Sequence, residues 1–262
     1  MPAVPTGVTS AIGANRHVRM AERLCESGDT AGALVSLNKA LEQGADACEC
    51  YIRIAGVHMM VGHLEDAVAA AQQAVGLSPR RLAARETLAI MLTASMDYAA
   101  VVEQCRAMLR ISPRNLTARD LLMQAYMALG MHSEALGVAT DMIRIDPVSP
   151  LLRLKRAVVY LEMRQTANAF DDLQTVAMQA DEPDLHAVAE SYLHTLDDFH
   201  LECIEALAMD DALFRAQLGQ DPEGAIEARQ LALSHDGRRR LHLFCDHHLP
   251  MLPLPDPTRS YN

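Results

Sequence analysis

The sequence contains no tryptophan, and aromatic residues make up only 4% of its 262 residues. Hydrophobic residues nevertheless account for 50% of the chain, so alanine, leucine and methionine must fill the interior. These side chains favour helices, whereas sheets favour aromatic and β-branched residues. The composition therefore predicts an all-α protein and argues against a sheet.

Basic residues are also scarce, since 23 Lys and Arg stand against 34 Asp and Glu, which gives a net charge of −11. Contacts to nucleic-acid phosphates depend on Lys and Arg, so we expect no nucleic-acid partner. No apolar run approaches the ~20 residues that a membrane-spanning helix needs. Residues 1–14 lack the basic start and apolar run of a secretory signal. We expect no membrane span and a cytoplasmic location.

Short motifs of common enzymes are missing as well. The sequence has no P-loop, no dinucleotide glycine motif, no G-x-S-x-G and no H-E-x-x-H. The 6 cysteines are scattered and are expected to be reduced and buried. One metal-like cluster, His242, Cys245, His247 and His248, matches no standard spacing, and whether it binds a metal stays open. We predict no enzyme, no cofactor and no metal-binding residue.

A 34-residue pattern is what the sequence does contain. Pro79, Pro113 and Pro147 follow one another at this interval, and a count from residue 14 divides the chain into five repeats. The repeats are 14–47, 48–81, 82–115, 116–149 and 150–183. Position 8 of the repeats reads Ala21, Ala55, Ala89, Met123 and Ala157, and position 20 reads Ala33, Ala67, Val101, Ala135 and Ala169. A fixed period of this length indicates a stacked array.

Position 15 marks a turn between the two halves of each repeat. It reads Gly28, Gly62, Met96, Gly130 and Arg164. Small residues at positions 8 and 20 let two helices approach closely, glycine supplies the turn, and proline ends the second helix. Because one helix pair cannot bury its apolar face alone, neighbouring repeats are expected to stack.

This pattern resembles the tetratricopeptide-repeat family, with small residues at positions 8 and 20, bulky ones at 7 and 11, glycine near 15 and proline at 32. The resemblance covers residues 14–183, about two thirds of the chain. It implies a right-handed α-solenoid of helix-turn-helix repeats. The family's aromatic residue at position 4 is present only as Tyr51, and repeats one and five lack the proline. In the other repeats position 4 is His17, Arg85, Arg119 and Arg153.

The three position-4 arginines are expected to form a ladder along the repeats. Such a ladder would hold an anionic ligand, or each arginine would pair with a nearby acid such as Glu86 or Asp120 or cover apolar surface with its stem.

The regions outside the repeats are predicted from their breaker residues. We expect a flexible lead-in at 1–13, a divergent sixth pair with capping helices at 184–249, and a Pro-rich tail at 250–262. The first helix should begin near Asn15, and the sixth pair should comprise 184–196 and 198–218. A further helix should start at Asp221-Pro222, run to about Ser234 and end at Asp236-Gly237. A short amphipathic stretch should follow at 241–249.

The family resemblance also implies a concave groove lined by positions 2, 5, 9, 12 and 13 of each first helix. These positions carry apolar and acidic residues and no Lys or Arg. The candidate groove residues are Val18, Glu22, Ile52, Met59, Met60, Glu86, Ile90, Asp120, Gln124, Met127, Leu154, Val158 and Leu161. An apolar groove with acidic spots favours an amphipathic segment with basic flanks.

We therefore expect a non-catalytic protein-interaction scaffold or chaperone, which binds a protein or peptide such as a basic amphipathic helix. Some members of the family bind the terminal carboxylate of a peptide through Lys, Arg and Asn in the groove. This mode is not expected here, because Val18 and Glu22 occupy the key positions of repeat one. The alternatives are a self-assembling scaffold, in which a homo-oligomer uses the same groove, and a regulatory subunit of an enzyme complex. A groove filled by the protein's own C-terminal helices also stays open.

Overall fold

The computed structural model describes residues 6–252, with side chains from residue 13 onward. This part of the chain forms fourteen α-helices and one short 3-10 helix, which confirms the all-α prediction. It divides into two compact units, Met1–Val138 and Ala139–Asn262, called here the N-terminal and the C-terminal unit. Among these residues no helix combines the length and the hydropathy that crossing a bilayer requires.

Each of the five repeats contributes two helices. They are α1 Thr6–Glu26, α2 Thr30–Glu42, α3 Ala47–Met60, α4 Leu64–Leu77, α5 Leu82–Ala94, α6 Tyr98–Ile111, α7 Leu116–Ala128, α8 His132–Ile145, α9 Pro150–Glu162 and α10 Thr166–Gln179. The prediction that the first helix begins near Asn15 is wrong, because the expected lead-in is helical from Thr6. Gly7 and Gly13 lower the helix propensity of this stretch without stopping the helix. Residues 1–5 lie outside the described part of the chain.

Positions 8 and 20 are buried in every repeat, as the 34-residue phase predicts. All five position-20 side chains are 0% exposed, and Met123 at position 8 of repeat four is the most exposed of the ten at 6%. In the N-terminal unit α1 packs on α2, α3 on α4, and α5 on α6. A fully buried small residue at a helix crossing leaves no room for a larger side chain, which explains why the repeat restricts these positions.

The turn at position 15 adopts the left-handed backbone conformation in all five repeats. The φ angles are 81° at Gly28, 79° at Gly62 and 72° at Gly130, but also 60° at Met96 and 57° at Arg164. Glycine tolerates this region freely, whereas other L-residues are strained there by roughly 1–2 kcal/mol. The packing of the helix pair therefore imposes the turn even where the sequence does not supply glycine.

The three periodic prolines follow helix ends, as expected. Helices α4, α6 and α8 end at Leu77, Ile111 and Ile145, two residues before Pro79, Pro113 and Pro147 respectively. Two of the second helices begin with a capping aspartate, since Asp29 accepts from Gly32 N at 2.8 Å and Asp97 accepts from Ala100 N at 3.1 Å. Such caps satisfy otherwise unpaired N–H groups of the first turn.

The predicted sixth helix pair is wrong, because residues 183–210 form one 28-residue helix, α11 Pro183–Asp210. The stretch from 184 to 210 contains neither glycine nor proline, so nothing in its backbone ends the helix. Asp197, at the predicted break, is 1% exposed and accepts hydrogen bonds from both the N–H and the hydroxyl of Ser234. Its polar side chain is thereby satisfied inside the protein and does not interrupt α11.

The C-terminal end differs from prediction in a second place. Three shorter helices follow α11, namely α12 Ala212–Gln220, α13 Pro222–Ala228 and α14 His235–His247, and a 3-10 helix spans Leu249–Met251. The helix that begins at Pro222 ends at Ala228, and Asp236-Gly237 lies in the first turn of α14 instead of at a helix end. Ser234 caps α14 by accepting from Gly237 N at 3.1 Å. Of the predicted Pro-rich tail, residues 253–262 lie outside the described part of the chain.

Apolar side chains from α11 to α14 form one core in the C-terminal unit. The core includes Ile204, Phe214, Leu218, Ile226 and Leu241, each at most 1% exposed. His200 of α11 is also buried, and its Nδ1 lies 2.7 Å from the Ala232 carbonyl oxygen. Asp197 and His200 therefore hold the irregular segment before α14 against α11.

Candidate functional site

Ten of the candidate groove residues belong to the N-terminal unit and lie on α1, α3, α5 and α7. In this unit α3 packs beside α5, and α5 packs beside α7. We call this surface the first-helix face. It comprises Val18, Glu22, Ile52, Met59, Met60, Glu86, Ile90, Asp120, Gln124 and Met127.

Several large apolar side chains on the first-helix face are open to solvent. Met60 is 60% exposed, Met59 is 41% exposed and Ile90 is 37% exposed. Val18, Ile52 and Met127 are half-buried. Exposed apolar area is unfavourable in water, so these side chains offer a gain in free energy to any partner that covers them.

A depression of about 490 Å³ lies among α1, α2 and α3, at one end of the first-helix face. Its lining combines apolar and charged side chains: Ala21, Glu22, Cys25, Glu26, Leu37, Arg53, Gly56, Val57 and Met60. A Cβ atom built on Gly56 would meet nothing within 4 Å. The missing side chain at this position leaves space that a guest residue can occupy.

Two acidic groove positions are neutralised by arginines that the sequence analysis did not assign to the groove. Arg53 lies 2.6 Å from Glu22 and 3.1 Å from Glu49, while Arg81 lies 2.5 Å from Glu49 and 2.6 Å from Asp46. The hydrogen bond from Arg81 is the main cause that lowers the pKa of Asp46. The Glu22 carboxylate is therefore already paired within the protein. The spacing of four residues between Glu49 and Arg53 was a usable signal for part of this network.

Two further acidic side chains lie on first helices: Glu86 on α5, and Glu26 on α1, which lines the depression. Glu86 is half-buried and Glu26 is exposed, and neither forms an ion pair within the described part of the chain. Asp120 accepts a hydrogen bond from Gln124 Nε2 at 3.0 Å. Glu86 lies one helical turn from the exposed Ile90.

The arginines at position 4 support the repeat framework. Arg85 donates to the Pro79 carbonyl oxygen at 2.6 Å and to Gln104 Oε1 at 2.8 Å, and Arg119 donates to the Pro113 carbonyl oxygen at 2.5 Å. In the C-terminal unit, Arg153 lies 3.7 Å from the buried Asp172. The suggested pairing with Glu86 or Asp120 is wrong for Arg85 and Arg119, because each side chain folds back to the loop before its own helix.

The groove candidates of the C-terminal unit are less accessible. Leu154 is 8% exposed and belongs to a buried cluster with Leu173 of α10 and Leu193 of α11. Leu161 packs against the same cluster, and Val158 is half-buried. Leu154 is therefore a core residue and not a contact for an external peptide, because the long α11 follows repeat five and adds its apolar side chains to this core.

The histidine and cysteine residues near the C-terminus do not converge on a common point. His242 Nε2 lies 3.4 Å from Glu223 Oε1, and His247 and His248 are exposed. Cys245 packs against the C-terminal core, and burial raises the pKa of its thiol to about 11. The arrangement therefore gives no support to a metal site at these four residues.

Together, the helix pairs, the buried positions 8 and 20 and the left-handed turn define a tetratricopeptide-repeat fold. Among solved structures, TTC0263, a thermophilic TPR protein of Thermus thermophilus, is similar with a TM-score of 0.52 and 19% identity over 68% of this chain and 97% of that one. A MamA structure, residues 41 to the end, from Desulfovibrio magneticus RS-1 has a TM-score of 0.58 and 16% identity over 65% of this chain and 98% of its own.

A third similar structure is YrrB, described as a TPR protein with an unusual peptide-binding site. Its TM-score is 0.54 and its identity 17%, over 67% of this chain and 90% of that one. Likenesses at these identities establish the fold. No protein-family model matches the sequence, and no curated protein matches it by sequence.

Proposed function

We propose that this protein is a non-catalytic interaction scaffold or chaperone, whose first-helix face holds an amphipathic helical segment of another protein. The observation that carries the proposal is the exposure of Met59, Met60 and Ile90 on neighbouring first helices. Removing apolar surface from water is favourable by about 25 cal/mol per Å², and this gain offsets the cost of association. YrrB, with the same fold, is described as having a peptide-binding site, so the fold is compatible with this role.

Acidic side chains on the first-helix face and in the depression beside it define the partner segment further. Glu86 and Glu26 are acids without a basic partner among the described residues, whereas Glu22 is already paired with Arg53. The preferred segment therefore carries an apolar stripe with Lys or Arg placed to reach Glu86 and Glu26. Charge complementarity of this kind mainly sets orientation and the rate of association. Methionine side chains adapt to differently shaped apolar partners, which suits a chaperone.

The state of the cysteines indicates the cellular compartment in which the protein would bind its partner. All six are free, and Cys48, Cys50 and Cys105 are buried. Free cysteines suit a reducing compartment, so the proposal places the protein in the cytoplasm.

The experiment uses a fluorescent model peptide of about 18 residues, long enough to form a helix, with leucines along one face and lysines on the other. Its affinity for the full chain is measured by fluorescence anisotropy. A peptide of the same composition in scrambled order is the control for charge, and it should bind at least about tenfold more weakly. Equal affinity for both peptides would mean that net charge alone drives binding, and the proposal would fail.

Two variants place the peptide on the first-helix face. Ile90→Glu adds a negative charge, so it should strengthen a purely electrostatic complex but weaken one that buries Ile90. Gly56→Leu should fill the depression and weaken binding, whereas the matched control Gly76→Leu, on the second helix α4, should leave affinity unchanged. A Cβ at either glycine meets nothing within 4 Å, so both variants are expected to fold.

Light scattering across a concentration series tests whether a second copy of this chain, instead of a partner peptide, covers the first-helix face. A mass that grows with concentration in the wild type, but not in Ile90→Glu, would place a second copy of the chain on this face. That result would replace the partner-peptide proposal with self-assembly.

A further inference from the structure

Two histidines and an aspartate converge at the turn between α3 and α4, on residues that the proposed function does not use. The Nδ1 atoms of His58 and His63 each lie 3.9 Å from Asp66 Oδ2. All three ligand atoms lie within 4.8 Å of one another. Within the described residues, no other group of three or more His, Cys, Asp or Glu side chains brings its ligand atoms together in this way.

The other repeats provide an internal comparison for these three positions, 11, 16 and 19. Position 11 is histidine only in repeat two, as His58, and is leucine or tyrosine in the other four repeats. The equivalents of His58 are Leu24, Leu92, Tyr126 and Tyr160, those of His63 are Asp29, Asp97, Met131 and Gln165, and those of Asp66 are Gly32, Ala100, Glu134 and Asn168. No other repeat carries two imidazoles and a carboxylate here, so the combination is not a requirement of the fold.

The polar atoms of the two histidines are not explained by contacts within repeat two. Asp29 and Asp97 cap their helices at position 16, whereas His63 makes no side-chain hydrogen bond to α4. The Nδ1 atom of His58 is buried and has no hydrogen-bond partner. Buried polar atoms in native proteins are nearly always paired, so this nitrogen points to a ligand that the protein itself does not supply.

The geometry allows an ion to be bound after small side-chain rotations. Tetrahedral coordination at about 2.0–2.1 Å per bond places ligand atoms about 3.4 Å apart. The side chains of His63 and Asp66 are each 65% exposed, while that of His58 is 19% exposed. His58 thus provides a fixed ligand, and the two exposed side chains can close the remaining distance.

We propose that His58, His63 and Asp66 bind a divalent transition-metal ion of the zinc type. Imidazole nitrogen with one carboxylate suits Zn²⁺ and its neighbours in the series, whereas Mg²⁺ and Ca²⁺ require oxygen ligands. With three protein ligands the ion keeps at least one coordination position for water. The ion joins the last turn of α3 to the first turn of α4 and stabilises repeat two. This site is independent of peptide binding on the first-helix face.

The test is a calorimetric titration of the full chain with Zn²⁺, followed by Co²⁺ as a visible-absorption probe of the coordination geometry. The wild type should bind one equivalent at this site, and Zn²⁺ should raise its Tm because the three ligands converge only in the folded protein. His58→Leu and Asp66→Ala should each lower the affinity for this Zn²⁺ ion by more than about tenfold and abolish the rise in Tm. These variants carry the residues of repeat three at the same positions, Leu92 and Ala100, so the metal-free proteins are expected to stay folded.

The double variant His247→Ala/His248→Ala is the matched control for exposed histidines elsewhere, and it should still bind one equivalent of Zn²⁺ with the wild-type affinity. The proposal is overturned if the wild type shows no saturable Zn²⁺ binding, or if the equivalent is lost with His247 and His248. It is also overturned if His58→Leu binds as tightly as the wild type. Should circular dichroism show that His58→Leu is unfolded without metal, Asp66→Ala and His63→Asn decide by the same criteria.

Discussion

The carboxylate of Asp197 on α11 occupies the space in which a side chain of residue 237 on α14 would begin. A Cβ atom built on Gly237 would lie 2.5 Å from Cγ of Asp197. Asp197 also accepts a hydrogen bond from Ser234 N at 2.8 Å, and both Asp197 and Gly237 are buried. The glycine therefore permits the close approach of α14 to α11, although in the sequence it resembles a helix end.

Replacing this glycine should destabilise the protein. Gly237→Ala should lower the free energy of unfolding by about 1–3 kcal/mol, because the new methyl group overpacks against the Asp197 carboxylate. The matched control is Gly76→Ala in α4, where a Cβ atom meets nothing within 4 Å. The control should raise stability by roughly 0.5–1 kcal/mol through helix propensity alone. Urea unfolding measures both, and stabilisation by both substitutions would contradict the assigned role of Gly237.

The left-handed turn in repeat three predicts a stabilising substitution. Met96 has a φ of 60° and is 73% exposed, so its side chain contributes little packing while its backbone is strained. Met96→Gly should raise the free energy of unfolding by a few tenths to about 1 kcal/mol, the difference between the relief of strain and the greater flexibility of unfolded glycine. Met96→Ala keeps the Cβ atom and should give no gain. Equal thermal stability of the two variants would contradict this explanation.

The hydrogen bond from Arg119 to the Pro113 carbonyl oxygen predicts a local contribution to stability. Arg119→Met keeps an apolar stem but removes the donor, so it should cost about 0.5–1 kcal/mol, a value reduced by partial exposure to water. Arg114 lies in the same loop, is exposed and makes no polar contact within the described residues. Arg114→Met should therefore leave the denaturation midpoint unchanged, and equal losses for both would show that general charge, and not this bond, is responsible.

The cap of α12 predicts a dependence on pH. Hydrogen bonds from Phe214 N at 3.0 Å and Leu213 N at 2.9 Å, together with Arg229 at 2.7 Å, stabilise the charged Asp211. The Phe214 N–H is the main cause that lowers the pKa of Asp211 below its usual 3.8. Because the folded pKa is the lower one, the stabilisation is present above about pH 4 and is lost as the pH falls through the folded value.

Asp211→Asn separates this charge effect from the cap itself, since asparagine also caps helices. The variant should be less stable than the wild type near neutral pH, and the difference should shrink as the pH approaches about 2. Unfolding by urea at several pH values measures it. A difference that stays constant across this range would mean that protonation of Asp211 does not affect stability.

The repeat architecture could be predicted from the sequence because its determinants are local and recur. Positions 8 and 20, the turn at 15 and the prolines at 32 act within one helix pair, so the signal recurs from repeat to repeat even where one of its residues is missing. Even Met96 and Arg164 followed the rule, since they adopt the same left-handed turn as glycine. The resemblance to the tetratricopeptide-repeat family implied groove-facing positions for Met59, Met60 and Ile90, and these side chains are exposed.

Tertiary structure alone decided the features that join residues from separate elements. The sequence pattern predicts a helix break at Asp197 and a helix end at Gly237. In the structure the Asp197 carboxylate packs against Gly237, so that Asp197 lies inside the continuous α11 and Gly237 lies in the first turn of α14. The pairing of Glu22 with Arg53 and the convergence of His58, His63 and Asp66 likewise depend on how neighbouring helices pack. Periodicity determines which residues share a helix face. Which of them form ion pairs or could bind one metal ion depends on distances between side chains, and only the packed helices define those distances.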